Sequence, residues 1–322
     1  MTTATFRHID TSAQPPNTKP WSKVDADASS FRMAPHKRSV QDLRGQESAF
    51  TTDNAGFAVR VSPSATTPQT FDSDANVRQS YYPEIEALLR AQLPGGDAIK
   101  KIVIFDHTIR RRTPDAPRAP VQQVHVDQTP GAAEVRVRRH VPDAEEAEAL
   151  LRGRYQIVNV WRPIANPASD FPLAVIDWRS TAPEDFVPVD LLYPKRADSV
   201  MEGQEGQQQQ QEQQQQQGQQ DDDRGKEVRP EESKWFSTEG YEVRGETLAV
   251  AASPAHKFYY QRDMSPSEVM LLKCYDSWGE GEPMGRLGVA VRTPHTAFED
   301  PATPKDAPGR QSIEVRCLVF YE

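Results

Sequence analysis

The 322-residue chain is poor in the features that mark out whole classes of protein. It has two cysteines, Cys274 and Cys317, too few for a disulfide framework or a cysteine zinc site. Both sit in apolar sequence, as core thiols do, which suits a reducing compartment. No run of about 18 apolar residues occurs, so no helical membrane span is expected. The polar amino terminus has no apolar stretch of the secretory type, and a cytoplasmic location is expected. Basic residues do not dominate: 38 Lys and Arg against 47 Asp and Glu leave a formal net charge of −9. A nucleic-acid partner is therefore not expected. Seven histidines occur in the chain, and a histidine-carboxylate pair at metal-ligand spacing has to be weighed.

That pair is His125 and Asp127, in Val124-His125-Val126-Asp127-Gln128-Thr129-Pro130. In extended chain, residues i and i+2 project from one face. His125 and Asp127 can aim at a common point while Val124 and Val126 turn into packed protein. One imidazole and one carboxylate are two thirds of the 2-His-1-carboxylate triad that leaves open positions on ferrous iron. A second copy of the spacing, His8-Ile9-Asp10, lies against Ser, Thr, Gln and Pro and is expected to be solvated tail. The ordinary reading of such a short motif is a surface histidine beside a turn aspartate.

Residues 1–35 are expected to be a disordered tail, followed by a single domain over 36–322. A disordered Gln- and Asp-rich insertion is expected at about 198–233. Gly56–Val61 alternates with a strand period, and Tyr82–Leu93 has helical spacing with Pro83 in its first turn. Strands are expected at Lys101–Asp106, Tyr155–Trp161, Leu173–Trp178, His256–Tyr260, Leu287–Arg292 and Ile313–Tyr321. A helix is expected after Pro142-Asp143, and another after Ser265-Pro266-Ser267-Glu268, which has the form of a capping box. Many short strands with a few flanking helices fit a mainly β fold, the double-stranded β-helix of jelly-roll or cupin type.

A third ligand has to be a distant histidine. By position His295 is the first candidate and His256 the second. Arg310 and Ser312 follow on one strand face, and a guanidinium fork beside a hydroxyl suits a carboxylate. A dicarboxylic co-substrate that chelates iron through its keto-acid end needs such an anchor. The order H-x-D, distant His, R-x-S is what raises these residues above an exposed charge. Arg316 has the same parity and is the rival anchor, and Leu318 and Phe320 share it as cavity-facing candidates.

In this order the chain resembles the iron(II)/2-oxoglutarate-dependent oxygenases. The closer likeness is to the fungal hydroxylase/desaturase family of the aspergillic-acid type, which includes gibberellin desaturase-like proteins. The likeness is carried by Ile104-Phe105-Asp106-His107-Thr108, His125-Val126-Asp127-Gln128, Asn159-Val160-Trp161-Arg162-Pro163 and Asp177-Trp178-Arg179-Ser180. It continues in Lys273-Cys274-Tyr275-Asp276-Ser277, His295-Thr296-Ala297-Phe298 and Arg310 to Arg316. The resemblance implies that His125, Asp127 and His295 hold Fe(II) and that Arg310 and Ser312 grip 2-oxoglutarate, with O2 as the second co-substrate. It implies oxidation of a small secondary metabolite or amino-acid-derived intermediate by hydroxylation, desaturation or oxidative ring closure. Asn159, Arg162 and Arg179 are candidates for binding an anionic substrate or the keto-acid end. Two rival functions remain: an iron oxidase of the same fold that needs no 2-oxoglutarate, and a non-catalytic cupin-like metal-binding module. Neither substrate nor oligomeric state is legible.

Overall fold

A computed structural model describes residues 1–15, 17–26, 28–113, 120–195 and 236–322. Fourteen strands lie among them: β1 (Thr2–Ile9), β2 (Trp21–Lys23), β3 (Met33–Asp42), β4 (Phe57–Val61), β5 (Ile99–Arg111), β6 (His125–Val126), β7 (Tyr155–Pro163), β8 (Leu173–Ile176), β9 (Phe186–Pro194), β10 (Tyr241–Val250), β11 (Phe258–Tyr260), β12 (Glu268–Asp276), β13 (His295–Ala297) and β14 (Gln311–Tyr321). Where the sequence suggests one domain from residue 36, the described residues divide into two compact units. Met1–Ser12, Met33–Pro188 and Thr247–Glu322 make the first; Ala13–Arg32 and Val189–Glu246 make the second.

The first unit is built on two sheets. One is antiparallel in the order β4-β12-β7-β14-β5. In the other, β1, β3, β11, β8, β13, β6 and β10 lie side by side. The two-residue period of β14 assigns its faces. Ile313, Val315, Cys317 and Val319 pack with Val158, Val160, Val269 and Leu271 under Ile85, Leu88 and Leu89 of the helix Tyr82–Gln92. The alternate residues Ser312, Glu314, Arg316, Leu318 and Phe320 face the other way. Leu318 and Phe320 meet Val137 and Leu150 of the helices Pro130–His140 and Ala144–Leu151. Nearby, Trp161, Met270 and Leu272 pack against Leu173, Val175 and Tyr259 of the second sheet. Each fully buried aliphatic or aromatic side chain contributes roughly 1.5–3 kcal/mol, so these clusters fix the register of the strands between them. Polar side chains of β14 are left along this packed inner face.

The helix Pro130–His140 begins directly after the H-x-D segment. Thr129 caps it by accepting from the Ala132 amide, and Pro130 occupies the first turn. The Thr-Pro step thus ends the strand at a defined residue.

Three expectations are corrected. Residues 2–9 of the expected tail form β1, paired along its whole length with β3. Ala4, Phe6 and His8 point inward, and Phe6 stacks on Phe258 at 4.1 Å between ring centroids. The polar run that follows masked this alternation. Ser265–Glu268 starts a strand rather than a helix. The Glu268 carboxylate does accept from the Ser265 amide, as a capping box would. Yet Val269 and Leu271 pack on one face while Met270 and Leu272 pack on the other, and a strand buried on both sides reads as a continuous apolar run. Leu287–Arg292 is loop, with Leu287 91% exposed and Gly288 at φ 78°; the strand there is the shorter β13.

In the second unit β2 pairs in parallel with β9, and the Lys23 ammonium lies 3.7 Å from the Tyr241 ring centroid. The expected insertion at about 198–233 lies outside the described residues. Among those described, no helix is long and apolar enough to cross a membrane.

Candidate metal centre

His295 is the direct cross-strand partner of His125, and β6 lies between β13 and β10. Opposed residues of antiparallel strands hold their Cβ atoms about 4.5–5.5 Å apart, and here the two imidazole centroids are 4.5 Å apart. Asp127 joins them from the residue after β6. One ligand-type atom from each of the three residues lies within 4.8 Å of the others. Val124 and Val126 are fully buried on the opposite side, as the alternation requires.

The imidazoles are turned by the backbone. His125 Nδ1 donates to the Gln123 carbonyl at 2.8 Å and His295 Nδ1 to that of Thr293 at 3.1 Å. Each donation leaves Nε2 free of its proton in the neutral ring and aimed at the shared point. The two Nε2 atoms stand 3.3 and 3.8 Å from Asp127 Oδ1. The other carboxylate oxygen, Oδ2, accepts from Asn159 Nδ2 at 2.8 Å and from Arg316 Nε at 3.0 Å. Burial pushes the Asp127 carboxyl up, but Arg316 and the two imidazoles outweigh it and hold the group well below the usual carboxylate range. Burial, reinforced by His125, pushes His295 down. For His125 burial is outweighed by Asp127, and the imidazole is raised.

Near the start of β14 the guanidinium of Arg310 is buried, 3% exposed. Its Nη1 donates to the Phe171 carbonyl at 2.7 Å, while Nε is buried without a partner. Burial and the like charge of Arg110 push it down to about 9. Ser312, also buried, follows on the same face.

The family described as oxidoreductase/YMDC permease-like domain matches residues 6–222 and 227–320. The chain is 30% identical over 295 residues to Fe(II)/2-oxoglutarate-dependent dioxygenase nvfI of Aspergillus novofumigatus, covering 90% of this chain and 85% of that protein. The chain belongs to the Fe(II)/2-oxoglutarate-dependent dioxygenases. Hydroxylase/desaturase efuI of Hormonema carpetanum is 29% identical over 299 residues, or 88% of this chain and 83% of that one. A solved structure of the iron and alpha-ketoglutarate-dependent endoperoxidase NvfI superposes with a TM-score of 0.72 at 26% identity, covering 99% of this chain and 97% of its own. The fold is accordingly the double-stranded β-helix expected, and the enzyme is an oxidoreductase with Fe(II) as cofactor and 2-oxoglutarate and O2 as co-substrates.

The residues present fit that cofactor. Two imidazole nitrogens and one carboxylate oxygen converge, and this is the donor set that non-haem ferrous iron takes. The buried, unsatisfied Nε of Arg310 fits the co-substrate, because such a donor is costly until an anion accepts from it.

Other expected residues are placed differently. His256 Nε2 pairs with Asp185 at 3.0 Å, in a group that includes His8 rather than Asp127. Asn159 is at the centre, but both its N–H groups go to carboxylates, those of Asp127 and Glu314. Arg162 lies on the opposite face of β7, where Tyr81, Ser62 and Pro266 accept from it. Arg179 pairs with Asp177 and its side chain is 48% exposed. Leu318 and Phe320 are core. Arg316, the rival anchor, has its donors engaged by Asp127, Thr108, Asp106 and Glu314. Glu314 was missed by sequence reasoning, although counting by twos from Ser312 passes through it.

Proposed function

We propose that His125, Asp127 and His295 hold the Fe(II) of this dioxygenase and that Arg310 and Ser312 bind the far carboxylate of 2-oxoglutarate. The observation that carries this reading is the cross-strand pairing of His125 with His295 beside an ionised Asp127. Bound iron, with its co-substrates, supplies the oxidation of an unactivated C–H bond. The protein's own groups do the rest. Gln123 and Thr293 carbonyls fix the imidazoles, Asn159 and Arg316 fix the carboxylate, and Arg310 orients the dicarboxylate. Leu272, cross-strand from Asn159, and Val175, cross-strand from His295, bring an apolar cluster up beside the centre.

The substrate class proposed is a small secondary metabolite or amino-acid-derived intermediate, the setting of relatives such as the hydroxylase/desaturases and aspirochlorine biosynthesis protein N. The formal charge of −9 argues against a nucleic-acid partner. Two buried, unpaired cysteines suit a cytoplasmic location. The test is mass spectrometry of metabolites incubated with the protein, Fe(II), 2-oxoglutarate and O2. A compound that gains one oxygen, loses two hydrogens or gains two oxygens, with succinate formed in step, is expected. Oxygen uptake that is indifferent to 2-oxoglutarate contradicts the reading and favours an iron oxidase of the same fold.

A further inference from the structure

Behind Asp127 lies a second carboxylate, that of Glu314, with its side chain 13% exposed against 14% for Asp127. Two donors link the pair. Asn159 Nδ2 gives a hydrogen bond to Asp127 Oδ2 and one to Glu314 Oε1. Arg316 places Nε on Asp127 Oδ2 at 3.0 Å and Nη2 at 3.7 Å from Glu314 Oε1. The register explains the grouping: Asn159 is the cross-strand partner of Arg316, and Trp161 that of Glu314.

The charges do not balance within the protein. Two carboxylates largely shielded from water share one guanidinium. Asp106, the third acid on Arg316, is 40% exposed at 3.4 Å and is partly neutralised by solvent. Attraction between charges grows as water is excluded, so a buried surplus of negative charge raises the affinity for a cation.

We infer that Glu314 is a positioning residue for the metal: through Asn159 and Arg316 it locks Asp127 to offer a single oxygen, and its charge strengthens the hold on a divalent ion. With Oδ2 bound by two donors that Glu314 itself restrains, Asp127 can turn only Oδ1 toward the imidazoles. One-oxygen coordination preserves open positions for the co-substrates. The inference rests on the proposed triad.

The test is titration of the full-length protein with Co(II) alone, followed by its visible absorption. Glu314→Gln keeps the shape and an acceptor for Asn159 but removes the charge. It is expected to weaken Co(II) binding about tenfold, the lower end of what loss of such a supporting partner costs, with the absorption bands of bound Co(II) unchanged. Glu314→Asp restores the charge and should return affinity toward wild type. Melting temperatures without metal report whether each variant folds. If the Gln variant does not fold, the Asp variant alone decides, because the charge argument requires it to bind nearly as the wild type does. Equal affinity in the wild type and Glu314→Gln, or equal loss in the Gln and Asp variants, overturns the inference alone. A wild-type protein that takes up no Co(II), or an Asp127→Ala variant that keeps it, removes the triad and the inference together.

Discussion

Arg310 and Arg316 share a parity along the last strand but are set to different tasks. Arg310 has a buried donor still to satisfy, whereas Arg316 is consumed by acids and Thr108 around the centre. Arg310→Ala is expected to raise the apparent KM for 2-oxoglutarate roughly ten- to hundredfold, the worth of charge-assisted hydrogen bonds at about 1.5–3 kcal/mol. Metal affinity should be unaltered. Arg316→Ala should do the reverse, impairing metal retention and destabilising the protein by about 3–5 kcal/mol, as removing one partner of a buried ion pair does. Kinetics in 2-oxoglutarate and metal titration separate the two; an unmoved KM in the Arg310 variant would contradict the assignment. His8 gives a prediction of another kind. Burial, with the like charges of His256, His36 and Arg38, outweighs its bond to the Val250 carbonyl and pushes it down to about 4. Its folded pKa lies below the ordinary value near 6.5, so the unfolded chain binds more protons in that window. Its contribution is complete above pH 6.5 and is lost as pH falls toward 4, worth roughly 3 kcal/mol. His140 behaves alike, pushed down to about 4 by burial and by Arg136 and Arg139. His8→Gln should therefore lessen the loss of stability between pH 6.5 and 4, seen by denaturant titration, by up to about 3 kcal/mol; an unchanged pH slope would refute this.

At the scale of elements, the segment before β13 aims His295. Gly56 has φ 87°, and its carbonyl accepts from the Thr293 hydroxyl and the Lys273 amide. A Cβ there would press on Thr293 Oγ1 and lie 2.7 Å from the Arg292 carbonyl oxygen. Gly56→Ala should cost at least about 1–2 kcal/mol from backbone strain alone. It should also weaken metal binding, because Thr293 supplies the carbonyl that orients His295. A variant that is stable and binds metal normally would show that this contact is slack. The strands beside the centre were legible because alternation and turn residues agree there: β7, β8 and β14 lie where Tyr155–Trp161, Leu173–Trp178 and Ile313–Tyr321 suggest. β12 was not, since burial on both faces erases the two-residue period. His125 and Asp127 could be read from i and i+2 spacing. Their meeting with His295 depends on a register between distant strands that no local pattern encodes. Arg162 shows the same limit, as its position in a motif says nothing of which face of β7 it takes.

For the whole molecule, the Gln-rich stretch at 203–232 carries one core-forming residue, Val228, and nothing in its composition suits the chemistry. Replacing it with a short Gly-Ser linker is expected to leave succinate formation unchanged; a loss of turnover would give that stretch a role in the enzyme. The most direct test of the account is succinate formation from 2-oxoglutarate by the full-length protein with Fe(II) and O2, compared with the Asp127→Ala variant. The wild type should form succinate only when Fe(II) is present, and the variant should form none although it remains folded. Succinate production by the variant at the wild-type rate would mean that the chemistry takes place elsewhere.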